Sequence, residues 1–257
     1  MSIKLGNSNI TLKVGSSAVT AAYLGSIQVY PSSIPPTPTF DGKYKLTLSN
    51  GDVISAACDG TSAITRNEIS AYSQTCVSAV VGDCVTTIST NAFSHFHSLS
   101  SVTISDSVVN IYSSFSSCDS LTSIGEKGSG ASIELPTGLT TIEDSTFDYC
   151  TGLTSVTIPS SITSIGYAAF GDCTSLPSID IPSSVISIDG YAFANCTNLQ
   201  SVTVNATVPP SSNGATSNWN AFNYTNDCPI YVPSGSVNAY KSASGWASYS
   251  SRITCIP

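Results

Sequence analysis

Charged side chains are scarce in this chain of 257 residues. They account for 9% of it, whereas ordinary globular domains contain roughly 25%. No run of eighteen apolar residues occurs, so we expect no membrane insertion. The formal charge of −8 argues against nucleic acid as a partner, because phosphates require a basic surface. About one residue in five is serine, and hydroxyl groups are therefore expected to keep the protein in solution.

Signals of export, catalysis and metal binding are also lacking. The segment Met1 to Gly6 has no basic region followed by an apolar block, so we expect no secretory signal there. No Gly-x-Ser-x-Gly nucleophile motif is present. His95 and His97 alternate as a metal pair could, but spacing places no third ligand near them. Scattered aspartates are more typical of a solvated surface than of a calcium site. We therefore predict no enzyme, no cofactor and no metal.

One phrase recurs along most of the chain. It has an Ala-Phe pair, then Cys-Thr-x-Leu, then alternating aliphatic residues, as in Ala169 to Ile181 and Ala192 to Val204. Phe147, Phe170 and Phe193 are 23 residues apart, and Phe93 and Phe115 are 22 apart. A fixed period in this range predicts a solenoid, a stack of coils that bury their apolar faces against one another. Such a fold presents an open surface, which favours binding over catalysis.

Four of the nine cysteines follow a repeat phenylalanine by three residues. In stacked coils they would lie one above another, about 4.8 Å apart and pointing the same way, which does not suit a relaxed disulfide. We interpret them as a buried ladder of free thiols. The remaining five cysteines lie outside this column, and their pairing stays open. The predicted ladder consists of Cys118, Cys150, Cys173 and Cys196 with Phe93, Phe115, Phe147, Phe170 and Phe193.

Two apolar stretches in each coil predict two strands, which side by side make parallel sheets. One is Leu-x-x-Val/Ile-x-Ile, and the other has an aliphatic residue about five positions before the phenylalanine. Between Phe115 and Phe147 the chain has nine residues more than the period. The surplus surrounds the polar stretch Gly125 to Ala131 and predicts a loop on one face.

These patterns predict a mainly β protein with five regions. Its centre is a solenoid of about five coils of 22–23 residues, and short strands at the start suggest a separate module. The regions are a small β anchor (1–30), a Pro-rich linker (31–40), an N-terminal cap (41–84), the solenoid (85–204), and a degenerate repeat with a C-terminal cap (205–257). The apolar residues of the anchor are Tyr23, Leu24, Ile27, Val29 and Tyr30.

Both caps have local signals. Thr65 and Glu68 have the spacing of a capping box and predict a short helix from Thr65 to Tyr72. Phe222 begins a degenerate coil, after which Ser234 is expected to cap a helix through Tyr240. Trp246 is expected to lie over the last coil and seal it.

The stretch from Leu153 to Phe170 resembles the BspA-like leucine-rich repeat of gut Bacteroidales. It reads Leu-Thr-Ser-Val-Thr-Ile-Pro, then Ser-Ile-Thr-Ser-Ile-Gly, then Ala-Phe. The tail from Ile230 through Trp246 to Ile253 is similar to the C-terminal cap common in that family. The resemblance covers about residues 41–257. It implies a right-handed leucine-rich-repeat solenoid and adhesion to host matrix, to other bacteria or to glycans.

The first 30 residues depart from that family. Tyr-Leu-Gly-Ser followed by Val-Tyr, at Tyr23 to Tyr30, resembles short β modules at the front of phage virion and fibre proteins. The resemblance implies a virion location, with residues 1–30 docking to other virion proteins or to copies of the same chain. A bacterial cell surface is the alternative location.

Tyrosines are the best binding candidates, because exposed aromatic rings stack on sugars and anchor interfaces. Tyr112, Tyr149, Tyr167 and Tyr191 lie near predicted coil corners, where each could instead pack on its own coil. Glu126 and Lys127 in the inserted loop are the charged candidates. The leading hypothesis is a phage head or tail fibre protein that presents an adhesive solenoid to a bacterial surface or gut glycan. The alternatives are a bacterial surface adhesin, with a host glycan or protein as ligand, and a purely structural virion decoration.

Overall fold

A computed structural model describes the backbone of residues 2–5, 8–11, 22–24 and 27–29, and residues 40–124, 133–211 and 221–257. The chain divides into two compact units, Met1–Thr39 and Phe40–Pro257. Tyr30, Glu126, Lys127 and nearly all of the Pro-rich linker fall outside the described residues.

The first unit contains two antiparallel hairpins. Strand β1 (Ser2–Leu5) pairs with β2 (Ser8–Thr11), and β3 (Ala22–Leu24) pairs with β4 (Ile27–Val29). The second hairpin has Leu24 opposite Ile27. Strand β1 was not predicted from the sequence.

The second unit is built from short strands, most of them in parallel pairs. In chain order they are β5 (Tyr44–Leu48), β6 (Val53–Ala56), β7 (Ala63–Ile64), β8 (Cys76–Val81), β9 (Thr87–Ile88), β10 (Ser101–Ile104), β11 (Asn110–Ile111), β12 (Ser123–Ile124), β13 (Ile133–Glu134), β14 (Thr141–Ile142), β15 (Val156–Thr157), β16 (Ser164–Ile165), β17 (Ser178–Ile181), β18 (Ser187–Ile188), β19 (Ser201–Val204), β20 (Ile230–Val232) and β21 (Ile253–Cys255).

The mainly β solenoid predicted from the period is confirmed by two columns of parallel strands. The first column runs through β8, β10 and β12, then β13 and β15, then β17, β19, β20 and β21. Its register repeats the sequence period, as Ser178 lies opposite Ser201 and Ile181 opposite Val204. The second column runs through β7, β9 and β11, then β14, β16 and β18, and aligns isoleucine with isoleucine at every step.

The parallel columns extend beyond residues 85–204 at both ends. At the start, Ile64 of β7 lies opposite Ile88, and Ala79 of β8 lies opposite Val102. At the end, Ile230 of β20 lies between Val202 and Ile253. The solenoid therefore has more coils than the five expected. The coil from Phe222 to β20 was expected as a degenerate repeat. The pairings of β7, β8 and β21 were not expected, because their segments lack the recurring phenylalanine and the Cys-Thr-x-Leu sequence.

The strands on either side of the predicted loop, β12 and β13, both belong to the first strand column. Strand β12 has Ile124 in register with Val102, and strand β13 has Ile133 in register with Val156. Ile124 and Ile133 thus occupy the same position of the coil. The predicted loop around Gly125 to Ala131 lies outside the described residues.

An antiparallel hairpin covers the first coil. Strand β5 pairs with β8 on one side and with β6 on the other, and Gly51 makes the turn with φ of 89°. The expected helix is shorter than predicted: α1 spans Arg66–Ile69 and continues as a 3₁₀ turn, Ser70–Tyr72. Its capping box forms, since the Glu68 carboxylate accepts the Thr65 backbone N–H at 2.6 Å.

The C-terminal cap is aromatic. Helix α2 spans Val237–Ser242 and is preceded by a 3₁₀ turn at Ser234–Ser236, so Ser234 does not cap it as expected. Trp246 is buried and lies over the last phenylalanine, with 5.9 Å between the Trp246 and Phe222 ring centroids. The expected position of Trp246 over the last coil is confirmed. The helices described in the structure are too short and too polar to cross a bilayer.

Candidate binding surface

The turn around each recurring phenylalanine is the most regular part of the solenoid. We call it the Phe turn and define it by Phe93, Phe115, Phe147, Phe170, Phe193 and Phe222. Neighbouring rings of this series stack with centroids 5.2–5.7 Å apart and interplanar angles of 4–16°. The stack is fully buried and holds every coil at the same distance from the next.

The cysteine ladder packs beside this stack. The Sγ of Cys150 donates to the backbone carbonyl of Phe115 at 3.2 Å, and the three other ladder cysteines make the same contact to the preceding coil. All four thiols are free and buried. Burial raises the pKa of Cys196 to about 12 and that of Cys173 well above its usual value. The ladder is therefore unreactive and joins coils by weak hydrogen bonds.

Backbone hydrogen bonds in the Phe turns all run in one direction. The Phe147 N–H donates to the Ala169 carbonyl of the next coil at 2.8 Å, and the Tyr149 N–H donates to the Gly171 carbonyl at 2.9 Å. The same bonds recur at the other turns, from Phe93 to Phe193. Each coil donates forward, so the first coil is left with carbonyl groups to satisfy and the last with N–H groups.

Left-handed backbone accompanies this pattern. The residue two before the phenylalanine has positive φ in the five turns from Phe93 to Phe193, and the residue two after it has positive φ in all six turns and is never glycine. We call that second position the outer row. Its members and their φ values are His95 (61°), Ser117 (58°), Tyr149 (58°), Asp172 (55°), Asn195 (58°) and Tyr224 (56°).

The outer row carries two largely exposed tyrosines. Tyr149 is 52% exposed and Tyr224 is 75% exposed. Between them, the Asn195 Nδ2 donates to the Asp172 carboxylate at 3.3 Å. Beside Tyr149 lies the half-buried Asp148, whose pKa is raised to about 6, first by burial and then by the nearby Asp172. This part of the surface thus places an adjacent carboxylate and amide between two aromatic rings.

The other predicted tyrosines lie at different positions of the turn. Tyr112 and Tyr167 are three residues before their phenylalanines, with Asp144 at this position in the coil between them. Tyr167 and Tyr191 contact each other, with ring centroids 5.7 Å apart. The four tyrosines proposed from sequence therefore do not form one row. Tyr224 was missed, although its spacing from Phe222 equals that of Tyr149 from Phe147.

The two histidines lie at the first Phe turn. The Nδ1 of His97 is 2.7 Å from a carboxylate oxygen of Asp119, and both side chains are nearly half exposed. The ring centroids of His95 and His97 are 5.8 Å apart. Within the described part of the chain, no group of three or more histidine, cysteine, aspartate or glutamate side chains is arranged to hold a metal ion.

A shallow depression lies at the far end of the second strand column. Its volume is about 250 Å³, and its rim carries the exposed apolar side chains Ile186 and Val208. The lining includes Ser183, Asn205 and Pro209 but no acid, histidine or cysteine. This lining offers no proton donor or acceptor of the kind that general acid–base catalysis requires.

Comparison with known proteins covers most of the second unit. A family model described as a BspA type leucine rich repeat region matches residues 67–129 and 125–238, in six copies. None of the curated proteins matches the chain.

Three solved structures have similar folds. A leucine-rich repeat protein from Bacteroides ovatus is 25% identical, with a TM-score of 0.51 over 70% of this chain and 42% of its own. A leucine-rich repeat protein from T. pallidum is 24% identical, with a TM-score of 0.49 over 76% of this chain and 80% of its own. A leucine-rich cell surface protein from Faecalibacterium prausnitzii is 22% identical, with a TM-score of 0.34 over 65% and 62%. The chain spans less than half of the B. ovatus protein.

Proposed function

Because this chain belongs to the BspA-type leucine-rich repeat family, we propose that it is an adhesive scaffold displayed outside the cell. The observation that carries the proposal is the outer row, in which one position of the coil recurs at steps of 5.2–5.7 Å along the stacked phenylalanines. A rigid row of exposed and half-buried side chains suits an extended ligand, as in other solenoids. We assign it no catalytic step.

A disulfide at the N-terminal end supports an extracytoplasmic location. Cys58 and Cys84 are bonded, with Cα atoms 6.2 Å apart, and join the segment before α1 to the turn after β8. Disulfides persist in oxidising compartments and are rare in the cytosol. The ladder thiols are buried and have raised pKa values, which protects them from exchange with this bond.

The first unit is the proposed attachment module. It has its own two hairpins and is separate by its contacts from the solenoid unit. We propose that residues 1–30 dock to a larger assembly or pair with copies of themselves, because thirty residues cannot form a sizeable core alone. A bacterial cell surface agrees best with the family.

A phage virion is the second candidate location, favoured by the separate hairpin unit. The family model begins at residue 67 and leaves residues 1–66 unmatched. The virion hypothesis therefore rests on the resemblance of Tyr23 to Tyr30 to fibre modules. In that setting the protein is a head or tail fibre that contacts a bacterial surface, or a structural decoration that binds nothing outside the particle.

Localisation in the encoding organism tests the proposal. Intact cells are treated with proteinase K, and the full-length chain is followed by quantitative mass spectrometry; virus particles purified from the same culture are measured in parallel. We expect loss of solenoid peptides from intact cells while a cytosolic marker protein is retained. Recovery in particles would support the virion candidate instead. Full protection in cells and absence from particles would contradict both.

Differential alkylation gives a second test that does not depend on a ligand. Thiols are blocked with iodoacetamide before and after reduction of protein isolated from cells. We expect Cys58 and Cys84 to be labelled only after reduction. Labelling of both without reduction would remove the support that the disulfide gives to an oxidising location.

A further inference from the structure

Two outer-row tyrosines have a conformation that their burial does not explain. Tyr149 and Tyr224 have φ of 58° and 56°, in the left-handed region where the side chain approaches its own carbonyl oxygen. This region costs roughly 1–2 kcal/mol for most residues, and asparagine and aspartate occupy it most readily. The equivalent residues of other coils include Asp172 and Asn195, as this preference predicts.

Burial offsets little of that cost at these two positions. Tyr149 is half exposed and Tyr224 is three-quarters exposed, whereas the tyrosines of the C-terminal cap, Tyr240 and Tyr249, are buried. A bulky residue in left-handed backbone that also presents its ring to solvent points to a role outside the fold. Two such rings occur at the same position of different coils, which makes the feature a repeated one.

The tyrosines are the two ends of one segment of the outer row. From Tyr149 the row passes through Asp172 and Asn195 to Tyr224, one residue for each coil. The phenylalanines beneath them set steps of 5.3, 5.2 and 5.4 Å. Asn195 donates to Asp172, so these two polar groups hold each other in place between the rings. We call these four residues the binding row.

We propose that the binding row holds a neutral hexose polysaccharide, with about one sugar ring for each coil. Tyr149 and Tyr224 would stack on the apolar C–H faces of sugar rings, while the Asp172 carboxylate and the Asn195 amide bind hydroxyl groups at the ring edges. This inference rests on the proposed adhesive function and names its ligand.

Charge selects among glycans. Asp148, Asp172 and the almost fully exposed Asp227 lie on or beside the binding row, and the whole chain has a formal charge of −8. Carboxylates repel sulfated and sialylated chains, and Arg252, whose guanidinium is 3.9 Å from the Asp227 carboxylate, is largely buried. The ligand is therefore a neutral polysaccharide.

The shape of the row favours a polysaccharide over a protein partner. A stable protein interface buries about 800 Å² on each side around an apolar centre. The binding row is one residue wide, and its centre is the polar pair Asp172 and Asn195. A linear ligand that alternates apolar faces with hydroxyl groups fits this order of side chains.

Affinity gel electrophoresis of the full-length protein tests the ligand class. The gels contain hydroxyethyl cellulose, mixed-linkage β-glucan, galactomannan, yeast mannan or dextran, with heparin and polygalacturonate as anionic comparisons. We expect retardation by at least one neutral polysaccharide and by neither anionic one. Retardation by the anionic chains, or by no neutral chain, would overturn the proposal. Surface exposure measured by proteinase K would be unaffected by this failure, so the adhesive location is judged separately.

Substitution to asparagine separates binding from folding. Tyr149→Asn and Tyr224→Asn are each expected to weaken retention about tenfold or more, while the melting temperature stays the same or rises, because asparagine tolerates left-handed backbone. The matched control is Tyr231→Thr, which places threonine opposite Thr203 on the strand face and should leave binding unchanged. A melting temperature lowered by several degrees in both asparagine variants would identify the tyrosines as packing residues and refute the proposal.

Discussion

The two ends of the solenoid are closed by opposite chemistry. At the first coil, Arg66 donates to the carbonyl groups of Asn91, at 3.0 Å, and of Ser94. At the last coil, the Tyr249 hydroxyl accepts the Phe222 N–H at 3.0 Å. Because the Phe turns donate forward from coil to coil, the start needs a donor and the end needs an acceptor. The direction of the Phe-turn hydrogen bonds thus decides that the N-terminal cap supplies a donor side chain and the C-terminal cap an acceptor.

The caps also differ in how they exclude water. The N-terminal cap buries the Lys43 ammonium, which donates to Glu68 at 2.5 Å, to Thr61 at 2.8 Å and to Asp59 at 3.1 Å, and a disulfide lies next to this network. The C-terminal cap uses aromatic rings whose polar tips reach backbone carbonyl groups. These are Trp246 to Pro210 and Tyr240 to Ala206, both at 2.8 Å. One end therefore depends on charge and redox state and the other on apolar packing.

The largest effect is expected at the aromatic end. Trp246→Ala removes a buried ring that contacts Phe222 and Tyr240, and we expect the free energy of unfolding to fall by about 3–5 kcal/mol. Urea unfolding followed by circular dichroism measures it. Val208→Ala, at a side chain 75% exposed, is the control and should change stability by less than about 0.5 kcal/mol. A loss below about 1 kcal/mol for Trp246→Ala would mean that the ring does not seal the stack.

Reduction of the disulfide should loosen the polar end alone. The bond closes a sequence separation of 26 residues, for which chain entropy suggests about 3 kcal/mol. With a reductant, hydrogen exchange is expected to accelerate in β5 to β8 and to stay unchanged in β20 and β21. The double variant Cys58→Ser, Cys84→Ser should exchange equally with and without reductant. Faster exchange at both ends would show that the caps are not independent.

Acid should also weaken the polar end more than the aromatic end. Burial opposes ionisation of Glu68, but hydrogen bonds from Lys43 and Thr65 outweigh it and lower the Glu68 pKa; bonds from Thr61 and then Lys43 lower that of Asp59. Carboxylates with lowered pKa values stabilise the fold above their unfolded pKa, near 4, and lose this contribution as the pH falls through the folded value.

Local hydrogen exchange at pH 6 and pH 3, corrected for intrinsic rates, measures this difference. Protection of β5 and β6 is expected to fall at pH 3, and protection of β20 and β21 to fall less. Glu68→Gln removes one charge from Lys43 and should cost about 1–2 kcal/mol at pH 6. In that variant the acid sensitivity of the N-terminal cap should be smaller. Equal acid sensitivity in both proteins would contradict the role of the ion pair.

The smallest effects are expected at the two ends of the backbone hydrogen-bond series of the Phe turns. Arg66→Met keeps an apolar stem near Phe96 but loses the donors, and Tyr249→Phe keeps the ring but loses the acceptor. Each is expected to cost about 1 kcal/mol, or a few degrees in melting temperature. The double variant should show additive losses, since the sites lie at opposite ends of the stack. A coupling above about 0.5 kcal/mol would contradict separate closure.

Periodicity made most of the solenoid predictable. The 23-residue spacing of Phe147, Phe170 and Phe193 placed these rings in one buried stack, and the cysteine three residues on followed because equivalent side chains of stacked coils superpose. The outer coils, with Ile64 and Ile253, were missed because their residues depart from the repeated phrase while keeping its backbone pairing. Strands pair through backbone hydrogen bonds between coils. Such pairing does not require the repeated residues, so it cannot be predicted where the sequence motif is lost.

The candidate site was only partly predictable. Tyr149 was selected from sequence, but so were Tyr167 and Tyr191, which lie elsewhere on the turn and contact each other. Tyr224 was missed because its coil is degenerate. Tyr191 also has left-handed backbone, with φ of 57°, but it lies two residues before its phenylalanine, whereas the outer row lies two residues after it. Tyrosine is not a residue from which left-handed backbone is predicted, so the sequence did not separate these positions.

The amino-acid sequence by itself determined the repeat, the buried face of each coil and the family, because a fixed period forces equivalent residues into equivalent positions. Only the tertiary structure decided which cysteines bond, which way the Phe-turn ladder runs and which side chains meet its two ends. Those features join residues far apart in the chain, such as Arg66 to Ser94 and Phe222 to Tyr249, and no local pattern specifies such contacts.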